Sequence, residues 1–128
     1  HGKPLEEHSL GQKASALMLF ILNQQDSDLI VIDQPEDDLD NQTIFEDVIK
    51  LVQKLKVDTQ FIFATHNANF PVLGDAEQVG VLSYTNGQTD LQTGSIDDPK
   101  IQDDIVSIME GGKVAFEQRK EIYQLWKH

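Results

Sequence analysis

The chain has 128 residues, a formal net charge of −12, 39% hydrophobic and 25% charged residues, and no cysteine. That length suits one domain or a large piece of one, and the balance of apolar and charged residues excludes a disordered chain. The missing cysteines exclude disulfides and thiolate zinc sites, and so acidic a surface repels phosphate backbones and is not expected to bind nucleic acid by itself.

The longest apolar stretch, Ala14 to Leu22, is too short to span a bilayer. No charged segment precedes an apolar run with a small-residue cleavage site, so a cytoplasmic location is expected. The chain opens on His1 and not on methionine, as a piece of a longer protein would.

In chain order, Gly2-Lys3-Pro4 is loop-like, and Ser9 or a neighbour caps a helix carrying Ala14, Ala16, Leu17, Met18, Phe20, Ile21 and Leu22. Its apolar residues predict burial on most of its circumference. Leu29-Ile30-Val31-Ile32 is a short continuous apolar run ending in Asp33, the pattern of a central parallel strand covered on both faces. Pro35 and the acids after it break the chain before Asn41 or Thr43. Ile44, Val48, Ile49, Leu51, Val52 and Leu55 then have the spacing of an amphipathic helix.

Phe61-Ile62-Phe63-Ala64 predicts a second buried strand, ending at Thr65-His66. Val79 to Tyr84 predicts a third strand. Asn86-Gly87 is a hairpin turn signal, so Thr89 to Ile96 returns antiparallel at a sheet edge. Two helices close the chain, about Pro99 to Glu110 and Lys113 to Trp126, broken by Gly111-Gly112. Helices alternating with strands predict an α/β fold with a mainly parallel sheet and an antiparallel edge hairpin.

Three strings carry chemistry. Asp33 follows an apolar strand, where an aspartate either caps a turn or holds magnesium, a hard cation that takes oxygen ligands and keeps several waters. With Asp38-Leu39-Asp40 close behind, residues 33–40 resemble the Walker B strand and D-loop of ABC-type ATPases. Thr65-His66-Asn67 ends the next strand. A lone histidine is commonly structural, but this position resembles that of the ABC switch histidine, whose imidazole donates to a phosphate oxygen.

His8-Ser9-Leu10-Gly11-Gln12-Lys13 reads in isolation as an ordinary capped helix start. Free N–H groups, a hydroxyl and a glycine also make an anion site, and the string is similar to the ABC signature, with His8 and Leu10 departing from it. In open α/β sheets ligands bind beyond the carboxyl ends of the strands. Adjacent strands about 4.8 Å apart therefore bring Asp33 and His66 to one site.

From Pro4 to about Leu125 the chain resembles the C-terminal half of ABC-type ATPase heads of the SMC and RecN-like group. It looks most like the TrlF-type AAA-like ATPases, which carry IDQPEDDLDN, THNANFPVLGDAEQV and MEGGKVAFEQR in this order. Here those strings are Ile32 to Asn41, Thr65 to Val79 and Met109 to Arg119. The resemblance implies a P-loop NTPase-like three-layer sandwich, of which residues 1–128 form the C-terminal lobe.

By the same resemblance Asp33 holds Mg2+ through water and His66 contacts the γ-phosphate of ATP. Ser9, Gly11 and Gln12 touch nucleotide bound to a partner head in a head-to-tail homodimer, and Asp40 works across that interface.

Two departures matter. Gln34 replaces the usual catalytic glutamate; a glutamine orients the attacking water but cannot accept its proton, and Glu36 is the nearby carboxylate that would substitute. No GxxxxGKS or GxxxxGKT string occurs, so the Walker A loop is expected in an N-terminal half of the same protein, beyond an inserted coiled coil or helical domain. The fragment alone is expected to be inactive. The parent protein is expected to be an ATPase in DNA repair, maintenance or defence, acting on nucleic acid through other regions. Two alternatives stay open: a degenerate, partner-docking module, and a metal-dependent nuclease or phosphatase built on Asp33, Glu36 and Asp38.

Overall fold

A computed structural model describes residues 16, 18–20, 22–24 and 26–126. The signature-like string at residues 8–13, with Ser9, Gly11 and Gln12, lies outside the described residues. The chain divides into two compact units, His1–Gly74 and Asp75–His128.

In the first unit, residues 16, 18–20 and 22 are helical. Among the described residues of that helix, Leu22 is buried but Phe20 is 65% exposed, so burial on most of the circumference is not found among them. Strand β1, Leu29–Asp33, pairs parallel with β2, Gln60–Ala64, in the register Leu29 with Gln60 through Asp33 with Ala64. Backbone bonds extend the ladder at both ends: Gln60 N donates to Asp28 O (2.9 Å) and Gln34 N donates to Ala64 O (2.7 Å).

Between the strands runs a helical segment of three parts, α1 (Asn41–Thr43), a π-helical stretch Ile44–Ile49, and α2 (Lys50–Leu55). Asp40 caps its start: Thr43 N donates to Asp40 Oδ1 at 2.7 Å. The π stretch adds a residue to the turn, so Ile44 and Ile49, five apart, both face inward with Val48. The periodicity predicted the apolar face but not this local unwinding.

Leu22, Leu39, Ile44, Val48, Ile49, Val52 and Phe70 form the core, with Ile32, Phe61 and Phe63 of the strands packed against it. Only one face of the pair is covered. Leu29 and Val31 of β1 and Ile62 of β2 point the other way and are exposed, Val31 to 65%. This corrects the expectation of strands covered on both faces. The continuous apolar runs fit that burial, but the described residues of the first unit supply a layer on one side only.

In the second unit, β3 (Val79–Thr85) and β4 (Gln88–Gly94) form an antiparallel hairpin. Its turn has positive φ at Asn86 (52°) and Gly87 (79°), which matches the right-handed twist of the strands. The hairpin is a two-stranded sheet of its own, consistent with the antiparallel pair that the sequence predicted. Helices α3 (Pro99–Met109) and α4 (Lys113–Leu125) follow, divided by Gly111 and Gly112 at φ 77° and 94° as expected. Asp98 caps α3 by accepting from Lys100 N, and Ile101 packs so close to Gly94 that a Cβ there would lie 2.8 Å from its Cγ1. Among the described residues no helix is long and apolar enough to cross a membrane.

The two faces of β1 predict opposite mutational costs. Ile44→Ala, at a fully buried side chain, lowers unfolding stability by about 3 kcal/mol. Val31→Thr changes it by less than about 0.5 kcal/mol. Urea unfolding of both variants measures the difference, and equal costs would contradict the one-sided core.

Candidate functional site

Asp33 is the last residue of β1, exposed, and paired in register with Ala64, the last residue of β2. Thr65 and His66 follow directly on β2. Both expected groups therefore leave the carboxyl ends of adjacent parallel strands, the edge where open α/β sheets take their ligands.

The backbone turns sharply after Asp33. Gln34 adopts left-handed φ 50° and ψ 56°, a conformation that costs a residue with a side chain about 1–2 kcal/mol. The cost is tolerated because Gln34 N is fixed to Ala64 O and Pro35, buried, opens a one-turn 3-10 helix over Pro35–Asp37. This turn presents Glu36 to the start of the loop after β2.

Glu36 is the centre of the resulting network. Its Oε1 accepts from Thr65 Oγ1 (2.8 Å) and from His66 N (2.8 Å), and His66 Nδ1 lies 3.2 Å from the same oxygen. The Thr65 hydroxyl in turn accepts from Asn67 N at 3.0 Å. Asn67 Nδ2 donates to Asn41 Oδ1 (2.9 Å), which ties the loop to the first residue of α1. Asn67 Oδ1 accepts from Asn69 N at 3.0 Å and so shapes the turn into the next helical segment, Asn69–Leu73.

The Glu36 side chain is 7% exposed and the His66 ring 66% exposed. Glu36 Oε2 is buried with no hydrogen-bond partner among the described residues. Burial, the largest single influence on this carboxyl, pushes its pKa up. The N–H groups of His66 and of Glu36 itself, the Thr65 hydroxyl and the nearby imidazole together outweigh it, and the net value lies below the ordinary 4.5.

Sequence reasoning named Glu36 as a substitute proton acceptor; here its Oε1 also joins the two loops by accepting from groups of the β2 loop. The signal for that role was present only in part: a glutamate on a proline-opened turn, with Thr-His after the neighbouring strand. The register was needed to bring them together.

The remaining residues are placed as follows. The Gln34 side chain is half-buried at the turn. Asp40 acts locally as the helix cap, its carboxyl held below the ordinary 3.8 chiefly by the Thr43 backbone N–H and then by the Thr43 side chain. Among the described residues no group of three histidine, aspartate or glutamate side chains is arranged to hold a metal ion.

Neither a protein-family model nor a curated protein matches the chain. Solved structures do. One is from work on ATP-driven dimerisation and DNA-stimulated activation of SMC ATPases; it is 23% identical, with a TM-score of 0.62 over 81% of this chain and 67% of that one. The chain has the fold of part of an SMC ATPase head.

A second match, an Smc head bound to the C-winged helix domain of ScpA, is 21% identical with a TM-score of 0.60, and covers 74% of this chain and 29% of that one. The SMC-head-like fold agrees with the α/β expectation. The three-layer sandwich goes beyond what the described strands contain, one parallel and one antiparallel pair.

The lowered Glu36 pKa fixes a sign. A carboxyl with a depressed folded pKa adds stability above its unfolded value, and that stability is lost as the pH falls through the folded value. Glu36→Gln removes the titrating group. The acid-side loss of stability as the pH falls below the ordinary 4.5 is therefore shallower in this variant than in the wild type. Unfolding curves at each pH measure it, and superimposable profiles would contradict the assignment.

Proposed function

We propose that residues 1–128 are the C-terminal lobe of an ABC-type ATPase head, completed by an N-terminal half that carries the Walker A loop. The reading rests on one observation above the others: Asp33 and the Thr65-His66 pair leave the same end of adjacent parallel strands, with Glu36 linking the two loops. The SMC-head-like fold and the uncovered apolar face of β1 and β2 support it. Parallel sheets are ordinarily covered on both faces. Leu29, Val31 and Ile62 are the surface on which the other half of a three-layer sandwich would pack.

In this reading the exposed Asp33 carboxylate would hold Mg2+ through water. The residues present fit that ion: it prefers hard oxygen donors and is commonly held by one or two carboxylates, with substrate phosphates and water completing the shell. Held there, the ion would neutralise negative charge on the phosphates of ATP. Gln34 orients the attacking water. His66 contacts the γ-phosphate, and its exposed ring leaves it accessible. Ser9, Gly11, Gln12 and Asp40 serve a head-to-tail homodimer in which each head completes the other's nucleotide site.

Binding of ATP brings the heads together, and hydrolysis releases them. The parent protein then works in DNA repair, maintenance or defence in the cytoplasm, touching nucleic acid through regions less acidic than this one.

A degenerate docking module is the second reading, and the observation that favours it is Gln34 in the place of a glutamate. The coding sequence upstream separates the two: a Walker A loop supports the ATPase, and its absence supports the docking module.

Without a backbone cradle and lysine for the phosphates, the 128-residue chain alone neither binds ATP tightly nor hydrolyses it. Titration calorimetry giving micromolar affinity would refute this division of the site. In the protein with its Walker A half, Gln34→Glu restores a proton acceptor beside the water and does not lower the steady-state ATPase rate. A large loss would sink the assignment of Gln34.

A further inference from the structure

The backbone of His66 is held from both sides. Glu36 holds it from the N-terminal side, through the His66 N–H and the Thr65 hydroxyl. On the C-terminal side stands Asn67, half-buried, which uses both ends of its side-chain amide. Asn69 N donates to Asn67 Oδ1 at 3.0 Å, and Asn67 Nδ2 donates to Asn41 Oδ1 at 2.9 Å. The Asn67 backbone is engaged as well: its N donates to Thr65 Oγ1 (3.0 Å), and its O accepts from Phe70 N (3.2 Å).

The two ends of an asparagine amide are nearly alike in shape, so what faces them decides which way the group lies. A backbone N–H only donates, which puts the oxygen of Asn67 toward Asn69. The NH2 end of Asn67 then faces Asn41. It too only donates, so Asn41 meets it with its oxygen. The reverse arrangement would set two donors against each other at Asn69. The bond therefore runs one way, from the loop after β2 to the first residue of α1. Among the described residues it is the one side-chain hydrogen bond between residues 65–67 and residues 41–43.

We infer that Asn67 is a positioning residue for His66: accepting from Asn69 and donating to Asn41, it anchors the C-terminal side of the histidine to the start of the helical segment. Asn67 needs a donor at Nδ2 for this, whereas Asn41 needs only an oxygen. The two positions are unequal although both hold asparagine. Asn41 directly follows Asp40, which caps the same segment through Thr43 N, so the anchor point is itself fixed. What His66 then contacts rests on the ATPase reading. The direction of the bond and its hold on the loop do not.

The experiment is nitrogen–proton NMR on the full 128-residue chain. It reads water exchange at the side-chain amides and at the His66 N–H, and the backbone signals of His66 and Asn69. Asn67→Asp and Asn41→Ala each identify one NH2 group by its loss. In the wild type the Asn67 NH2 exchanges about twofold to tenfold more slowly than that of Asn41, the range expected for one net hydrogen bond. Asn41→Ala abolishes that protection, shifts the His66 and Asn69 signals and speeds exchange at the His66 N–H. Asn41→Asp keeps an oxygen and restores all three to wild-type behaviour. Asn67→Asp keeps the acceptor for Asn69 but loses the donor, and also speeds exchange at the His66 N–H.

Residue 41 lies far from His66 in sequence, so a loop that follows its acceptor and recovers with aspartate reports the bond itself. A protected Asn41 NH2 beside an unprotected Asn67 NH2 would overturn the inference. So would a His66 loop that responds alike to Asn41→Ala and Asn41→Asp, or to neither. If Asn67→Asp does not fold, the two Asn41 variants decide by the same criteria. No nucleotide enters the measurement. Failure of the protein to hydrolyse ATP with its Walker A half would refute the ATPase reading alone.

Discussion

Five residue pairs between two parallel strands, from Leu29 with Gln60 to Asp33 with Ala64, govern where everything else at the site can be. Parallel pairing puts both carboxyl ends on one edge, so the loops after β1 and β2 start side by side. A slip of one residue in either strand would turn Ile32, or Phe61 and Phe63, away from the core, because strand side chains alternate with a period of two. Packing of those three residues against the core therefore locks the register, and the register decides that Asp33 stands beside the loop with Thr65 and His66.

Packing and chemistry are linked through the left-handed turn at Gln34. It closes the ladder through Ala64 O and swings the chain so that Glu36 meets the Thr65 hydroxyl and the His66 N–H. A buried carboxylate needs such donors, since burial alone favours its neutral form. The same bonds that keep Glu36 ionised hold His66 in place. The network continues through Asn67 to Asn41 at the start of the helical segment, beside the Asp40 cap. Site geometry is thus coupled to the core that the helical segment covers with Ile44, Val48 and Ile49.

The first unit has a core on one side of its sheet and bare apolar side chains on the other. An arrangement of this kind is energetically incomplete, because exposed Leu29, Val31 and Ile62 contribute little of the burial that their side chains allow. The one-sided cover and the absence of a phosphate-cradling string in the sequence lead to the same picture. Under the proposed reading, the described residues would hold one wall of a site and the other half would pack on the open face.

The sequence alone determined the elements and the chemistry of their ends. Continuous apolar runs ending in Asp33 and in Thr65-His66 marked two strands, Asn86-Gly87 marked the hairpin, and Gly111-Gly112 marked the break between the last helices. These signals are local: a positive φ, a strand-long apolar run or a turn dipeptide acts over a few residues. Tertiary structure decided the rest. Neither the π-helical stretch over Ile44–Ile49 nor the exposure of Val31 could be read from periodicity, because each depends on which layers are present to pack against. The role of Glu36 was hidden for the same reason: 29 residues separate it from Thr65, and only the parallel register brings its carboxylate to them.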